Sequence, residues 1–166
     1  MALDATVGSP NANSYITVSE ANQYFTNRAF SDGWDEVEDQ PALLITASKQ
    51  LDWYATWKGN KATSEQSMDW PRKNVVDKSG TLIPSDIIPT AVKEAVAELA
   101  LSSFDGDRTA DDDLAGLAMV QASTLKVQTD GGGSTSTAKK TIPDKIWKIL
   151  TGLVIRSGGV VRLMRA

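Results

Sequence analysis

Apolar residues recur at helical spacing most regularly over residues 89–104, PTAVKEAVAELALSSF. Val92, Val96 and Leu99 are separated by three or four positions, so a helix would place them on one face. Pro89 suits a first helical turn, because the N–H that proline lacks would have no partner there. The pattern predicts a core helix over 89–104 on which the other elements pack.

A capping-box pattern marks the start of an earlier helix. Thr17 precedes Glu20 by three positions, the spacing at which each side chain bonds to the other residue's backbone N–H. We therefore predict a helix from about residue 18 to 28. Residues 31–38 are acidic and turn-like, and Trp34 is expected to anchor them on the body of the protein.

The next predicted helix opens near residue 39, with Pro41 in its first turn, and runs to about Trp57 before Gly59 ends it. Trp53 and Trp57 are four positions apart and would share one face of this helix. Such a pair either packs against another helix or stacks on unpaired bases. Packing is favoured, because no cluster of lysine or arginine interleaves with the two rings.

Residues 59–88 carry turn chemistry. Trp70 precedes Pro71, which favours extended backbone and predicts that the indole lies flat along the body. Residues 75–83, with Gly80 in the turn, predict a short β-hairpin. Farther along, residues 143–156 have a broad apolar face and predict a last helix.

The stretch between the predicted helices 89–104 and 143–156 is polar and rich in turn-forming residues. Asp111, Asp112 and Asp113 lack the alternation and the glycine of a calcium loop, so they are interpreted as the acidic start of a helix near Leu114 rather than as metal ligands. Residues 129–140 are interpreted as a flexible loop; their three consecutive glycines lack the spacing of a phosphate loop.

These elements together predict a mainly α protein: a small helical bundle of about four main helices with a short β-hairpin, an extended loop and a C-terminal arm. The predicted division is an N-terminal arm over residues 1–14, a helical domain over 15–157 and the C-terminal arm over 158–166. In the arm, apolar and basic residues alternate after a Gly-Gly break. It either docks on a neighbouring chain or packs back on its own domain.

Composition removes the usual parts of an enzyme site. The sequence has no histidine and no cysteine, so the commonest general base, zinc ligand and nucleophile pairs are missing. We expect a protein that is not an enzyme and uses no cofactor or metal. No apolar run approaches the roughly 18 residues of a membrane span, and no signal peptide or membrane association is expected.

Charge is unevenly distributed along the chain. Residues 1–138 hold 10 lysines and arginines against 20 acids, net −10, whereas residues 139–166 hold 7 against 1, net +6. This asymmetry indicates docking to an acidic surface or head-to-tail attraction between subunits, with chance as the alternative. The candidate partner-binding residues are Lys139, Lys140, Val160, Val161, Arg162, Leu163, Met164 and Arg165.

Several motifs occur in an order that resembles a known family. They are SYITVSEANQYF at 14–25, MDWPRKNV at 68–75 and IIPTAVKEAVAELAL at 87–101, followed by VQASTLKVQ and IPDKIWKIL. Together these motifs resemble the head-to-tail connector proteins of tailed phages, also called adaptor or head-completion proteins. The same sequences are often labelled DnaT-like single-stranded DNA-binding proteins. The resemblance covers roughly residues 14–165.

The resemblance implies a virion structural protein at the phage neck, made in the host cytoplasm. It implies a closed ring, commonly a dodecamer, that joins the portal to the tail, stopper or tail-tube proteins and lets double-stranded DNA pass without specific binding. An acidic body agrees with such a channel, because phosphate contacts to lysine and arginine would hold the duplex.

The alternative is a single-stranded DNA-binding replication accessory. It requires Trp53, Trp57 or Trp70 to be exposed for base stacking. The cations beside them in the sequence are Lys58, Lys61, Arg72 and Lys73.

Overall fold

The computed structural model describes residues 2–29, 31, 33–104 and 141–155. These residues form four helices and a two-stranded antiparallel sheet, which confirms the predicted mainly α fold. The helices are α1 (Val18–Thr26), α2 (Gln40–Tyr54), α3 (Thr90–Ser102) and α4 (Asp144–Ile149), and the strands are β1 (Asn60–Lys61) and β2 (Arg72–Lys73).

Helix α3 is the centre of the fold, as its pattern predicts. It contacts α1, α2 and α4, and every residue from Ala95 to Ala100 is buried. Val92 and Leu99 are fully buried, and burial of one such side chain contributes roughly 1.5–3 kcal/mol. The small alanines between them let the neighbouring helices approach closely.

The N-terminal end of α1 has the predicted capping box. The backbone N–H of Glu20 donates to Thr17 Oγ1 at 3.2 Å, and the N–H of Thr17 donates to Glu20 Oε2 at 2.9 Å. The anchoring role of Trp34 is also confirmed: its ring lies 4.7 Å from that of Phe25, and its Nε1 donates to Asn22 Oδ1 at 2.7 Å.

Helices α1 and α3 end within two residues of their predicted limits, whereas α2 and α4 end three residues or more too early. Helix α2 ends at Tyr54 rather than Trp57, because Ala55 is extended and the chain beyond it bonds to the segment after α4. Lys58 N–H donates to Leu153 O at 2.9 Å, and the N–H of Ile155 donates to Thr56 O at 2.7 Å. This pairing also ends α4 at Ile149 instead of residue 156. After Ile149 the chain turns through Gly152, whose φ is positive.

The chain forms two separate short β pairings, a hairpin and the two-stranded sheet of β1 and β2. The predicted hairpin over 75–83 is present, with Ile83 N–H donating to Val75 O and Asp77 N–H donating to Thr81 O, both at 2.9 Å. The pairing of β1 with β2, which sets Lys61 opposite Arg72, was not predicted, because strands of two residues leave no alternating pattern.

A buried carboxylate links three of the helices. Glu98 of α3, 4% exposed, accepts from Tyr24 Oη at 2.7 Å and Arg28 Nε at 2.6 Å on one oxygen, and from Lys145 Nζ at 2.6 Å on the other. Burial and the adjacent Glu98 carboxylate raise the pKa of Tyr24 above its usual range. The bonds fix α1 and α4 against α3.

The N-terminal segment folds against the domain. Asp4 and Asn13 bond to each other through backbone and side chain, both at 2.8 Å, and Ser67 Oγ donates to Ala12 O at 2.6 Å.

The predicted helix start near Leu114, the loop 129–140 and the arm 158–166 lie outside the described residues. No helix in the described ranges combines the length and apolarity that a membrane crossing needs.

Candidate functional site

The three tryptophans proposed for stacking lie in different environments. Trp57 and Trp70 are 6% and 1% exposed, and their rings meet edge to face at 5.7 Å. Both indoles are therefore core groups whose faces are not available to a base. Trp53 is 71% exposed. It does not form a joint platform with Trp57, because α2 ends between the two residues.

Trp53 borders a groove that three segments of the chain form together. We call this the Trp53 groove; its volume is about 520 Å³, within the roughly 300–1,000 Å³ of small-ligand sites. Helix α2, the segment before α1 and the loop before β2 supply its walls. The lining residues are Ala12, Asn13, Lys49, Asp52, Trp53, Ser67, Met68 and Asp69.

A hydrogen-bond network holds these walls in place. The hydroxyl of Tyr15 donates to Asp52 Oδ1 at 2.5 Å and accepts from the backbone N–H groups of Asp69 and Trp70 at 3.0 and 3.2 Å. Asp52 Oδ2 accepts from the same Asp69 N–H at 3.2 Å. The loop that contains Asp69 is therefore fixed to α2, and the groove is preformed.

Burial sets the protonation behaviour of Asp52. It raises the pKa of this carboxyl to about 6, although hydrogen bonds from Tyr15, Asp69 and Trp57 act in the opposite direction. The charge of Asp69 adds to the upward shift. Burial, together with Asp52, also raises the pKa of Tyr15 beyond its usual range, so the phenol keeps its proton at neutral pH.

The groove carries charges of both signs. Asp52 and Asp69 provide two carboxylates, and Lys61 Nζ lies 3.2 Å from Asp69 Oδ1. Lys49 is exposed and precedes Trp53 by four positions, so that both lie on one face of α2. A phosphate between the carboxylates is disfavoured, whereas a neutral ring against Trp53 with a phosphate at Lys49 is compatible with these charges.

The cations expected beside the tryptophans have mixed roles. Arg72 is 9% exposed and donates to the carbonyls of Lys58, Gly59 and Asp69 at 2.7, 2.8 and 3.1 Å. It therefore supports the β1–β2 region and is not available as a phosphate ligand. Lys73 is exposed and Lys58 is half-buried.

A second groove of about 620 Å³ lies between α1 and α3. Its lysine, Lys93, pairs with Glu20 at 2.5 Å, and Glu94 adds another carboxylate. Hydrogen bonds from Lys93 and Thr17 overcome the opposing effect of burial and lower the pKa of Glu20. The lining balances Glu20 and Glu94 against Lys93 and Arg28, and both cations pair with carboxylates. This groove also has no tryptophan, so it is a poorer site for single-stranded DNA.

In the part of the chain that the structure describes, the Trp53 groove includes neither a metal centre nor the candidate partner-binding residues. Within the described ranges, no three acidic, histidine or cysteine side chains gather in a way that would hold a metal ion. The candidate partner-binding residues, Lys139, Lys140, Val160, Val161, Arg162, Leu163, Met164 and Arg165, lie outside the described residues.

Comparison with protein families gives a match that covers the whole chain. A family model described as "Putative DnaT-like ssDNA binding protein" matches residues 1–166. The chain belongs to this family. Neither the comparison with curated proteins nor that with solved structures gave a match.

The match contradicts the head–tail adaptor hypothesis and favours its alternative. The family description names single-stranded DNA, and nothing in the comparisons supports a virion ring, a dodecamer, a portal or a tail partner. The physical reason for the error is that the resembling motifs contain core residues. Tyr15, Trp70 and Val96 are all at most 1% exposed. The motifs that contain them therefore indicate a shared hydrophobic core, and they do not indicate which partner the protein binds.

Sequence reasoning found Trp53 but missed the groove around it. One signal was available, because Lys49 and Trp53 have the spacing of neighbours on a helix face. Asn13 and Asp69 come from distant segments, and no local pattern places them beside α2.

Proposed function

We propose that this protein binds single-stranded DNA and that Trp53 is the residue on which a base stacks. Trp53 has the exposed indole face that stacking requires, and the family description names the ligand class. The exposure of Trp53 beside a preformed groove is the observation that carries the proposal.

The surroundings of Trp53 agree with this role. Lys49 lies one turn before it on α2, where its ammonium group reaches a phosphate while the adjoining base contacts the indole. Asp52 and Asp69 disfavour a phosphate deeper in the groove, so the backbone is expected to follow the edge and the base to point inward.

The basic C-terminal stretch supports the same function. Residues 139–166 hold 7 lysines and arginines against 1 acid. The charge asymmetry predicts that this stretch docks on an acidic surface, and in this proposal that surface is the phosphate backbone of the DNA. Such contacts add affinity that does not depend on sequence and that weakens with salt. In this proposal the protein acts by binding single-stranded DNA and catalyses no reaction.

The test is a titration of labelled oligothymidylate, read by fluorescence anisotropy at near-physiological salt. We expect saturable binding that is tighter than binding to a duplex. Trp53→Ala should weaken it by roughly 5- to 150-fold, the equivalent of about 1–3 kcal/mol for one stacked base.

The matched control is Tyr54→Ala, which removes the next exposed aromatic side chain (47% exposed) but does not alter a residue that lines the groove. This variant should bind like the wild type. Absence of saturable binding by the wild type, or wild-type affinity in Trp53→Ala, would show that the proposal is wrong.

A further inference from the structure

We infer that Asp69 makes the Trp53 groove selective for guanine, an inference that rests on the proposed function. The groove has a stacking surface and a carboxylate in reach of the same bound base, since Trp53 and Asp69 both line it. A single-stranded chain presents its base edges freely, and proteins read such edges by hydrogen bonding while the ring is stacked.

Asp69 is the acceptor that remains accessible. Its side chain is 30% exposed, and its partner Lys61 is 40% exposed; an ion pair this open to solvent is weak. The second carboxylate, Asp52, already accepts from Tyr15 and Trp57 on Oδ1 and from the Asp69 N–H on Oδ2. Asp52 therefore positions Asp69 and contributes negative charge behind it.

The polar side chains on the other walls are engaged in the fold. Asn13 Nδ2 donates to Ala2 O at 2.9 Å, and its Oδ1 accepts from Asp4 N–H at 2.8 Å. Ser67 Oγ donates to carbonyls of the N-terminal segment. Lys49 also lines the groove and is assigned to the phosphate. Recognition of the base edge is therefore assigned to the Asp69 carboxylate, which only accepts hydrogen bonds.

Base chemistry then determines the preference. Guanine presents two adjacent donors, N1–H and N2–H, which match the two oxygens of a carboxylate. Thymine presents a single N3–H between two carbonyl oxygens, whose lone pairs are repelled by Asp69. Adenine and cytosine each place one amino group beside a ring-nitrogen acceptor, so they form one bond and rank between the two.

The test compares three oligomers of equal length by competition anisotropy: thymidylate throughout, and thymidylate in which alternate bases are guanine or hypoxanthine. Hypoxanthine lacks only the N2 amino group of guanine. We expect the guanine oligomer to bind roughly 5- to 10-fold more tightly than thymidylate, at the lower end of the discrimination of one bidentate contact. The hypoxanthine oligomer should lose most of this gain.

Asp69→Asn tests the residue itself, with Asp86→Asn as its matched control. Asp86 is exposed and does not line the groove, so that variant should keep the guanine preference. Asp69→Asn should reduce the preference to near unity while binding to thymidylate is retained or improved. Urea unfolding of both variants verifies that the fold is intact.

The outcomes separate this inference from the proposed function. Saturable, Trp53-dependent binding with equal affinity for all three oligomers would overturn the guanine inference alone, as would a preference that survives in Asp69→Asn. Absence of any binding to single strands would overturn both. Displacement of the oligomer by dGMP as effectively as by guanine oligomer would identify a free-nucleotide pocket and also overturn the inference.

Discussion

The hydroxyl of Tyr15 donates to Oδ1 of Asp52 at 2.5 Å across 37 positions of sequence. The same oxygen of Tyr15 accepts from the N–H groups of Asp69 and Trp70. One side chain therefore joins the segment before α1, helix α2 and the loop before β2, which are the three walls of the Trp53 groove. Stability and groove geometry depend on the same contact.

Tyr15→Phe should lower the free energy of unfolding by about 2–3 kcal/mol. The substitution leaves the Trp70 N–H without its acceptor, and an unsatisfied buried group of this kind costs roughly 1–3 kcal/mol. It also removes one of the hydrogen bonds to the Asp52 carboxylate, which keeps those from Trp57 and Asp69. Urea denaturation followed by tryptophan fluorescence measures the change. Tyr54→Phe, at a 47% exposed position, should be neutral; equal effects of the two variants would disprove the network.

Asp52 should make stability fall as the pH rises from about 4 to about 6. Its pKa is raised from 3.8 to about 6, so in this window the folded protein binds more protons than the unfolded chain, and the charged carboxylate opposes folding above it. The effect is about 3 kcal/mol at 1.36 kcal/mol per pKa unit. Asp52→Asn should lack this part of the pH profile, whereas Asp86→Asn should run parallel to the wild type.

The sequence predicts the helices because their signals are local. The capping box at Thr17 and Glu20, and the apolar face of α3, are contained in a few turns of chain. The C-terminal ends of α2 and α4 were placed too late because their real cause is the pairing of residues 56–58 with 153–155, a contact that helical periodicity does not encode.

The site was only partly predictable for the same reason. Exposure separates Trp53 from Trp57 and Trp70, yet all three are tryptophans near lysine or arginine in the sequence. The burial of Arg72 against three carbonyls could not be inferred from its type, and Asp69 joins the groove only through tertiary contacts.

Lys49→Gln should reduce the salt dependence of single-stranded DNA binding. A lysine that contacts one phosphate contributes about 0.7 to the slope of log K against log salt concentration for single strands. Titrations of oligothymidylate at several salt concentrations give this slope. Lys78→Gln, at an exposed position that does not line the groove, is the control, and an unchanged slope in Lys49→Gln would remove Lys49 from the interface.

Glu98→Ala should destabilise the protein by about 2 kcal/mol. The variant leaves the Tyr24 hydroxyl without its acceptor and removes the partner that Arg28 and Lys145 share. The cost stays below that of a fully buried pair because both cations reach solvent. Thermal and urea unfolding measure it. Glu94→Ala, one turn earlier on α3 and half-buried, should cost much less, and a reversed order would contradict the linking role of Glu98.

Gly59→Ala should be among the most damaging single-methyl additions in the described fold. Gly59 has φ +68°, and a Cβ there would lie 2.3 Å from Lys73 O and 2.6 Å from Val75 Cγ2, so β2 would have to move. We expect a loss of about 3 kcal/mol or more from overpacking and left-handed backbone together. Gly80→Ala, with φ +84° and no neighbouring atom within 4 Å, isolates the backbone cost of about 1 kcal/mol. Equal urea midpoints for the two variants would show that Gly59 is not in close contact with β2.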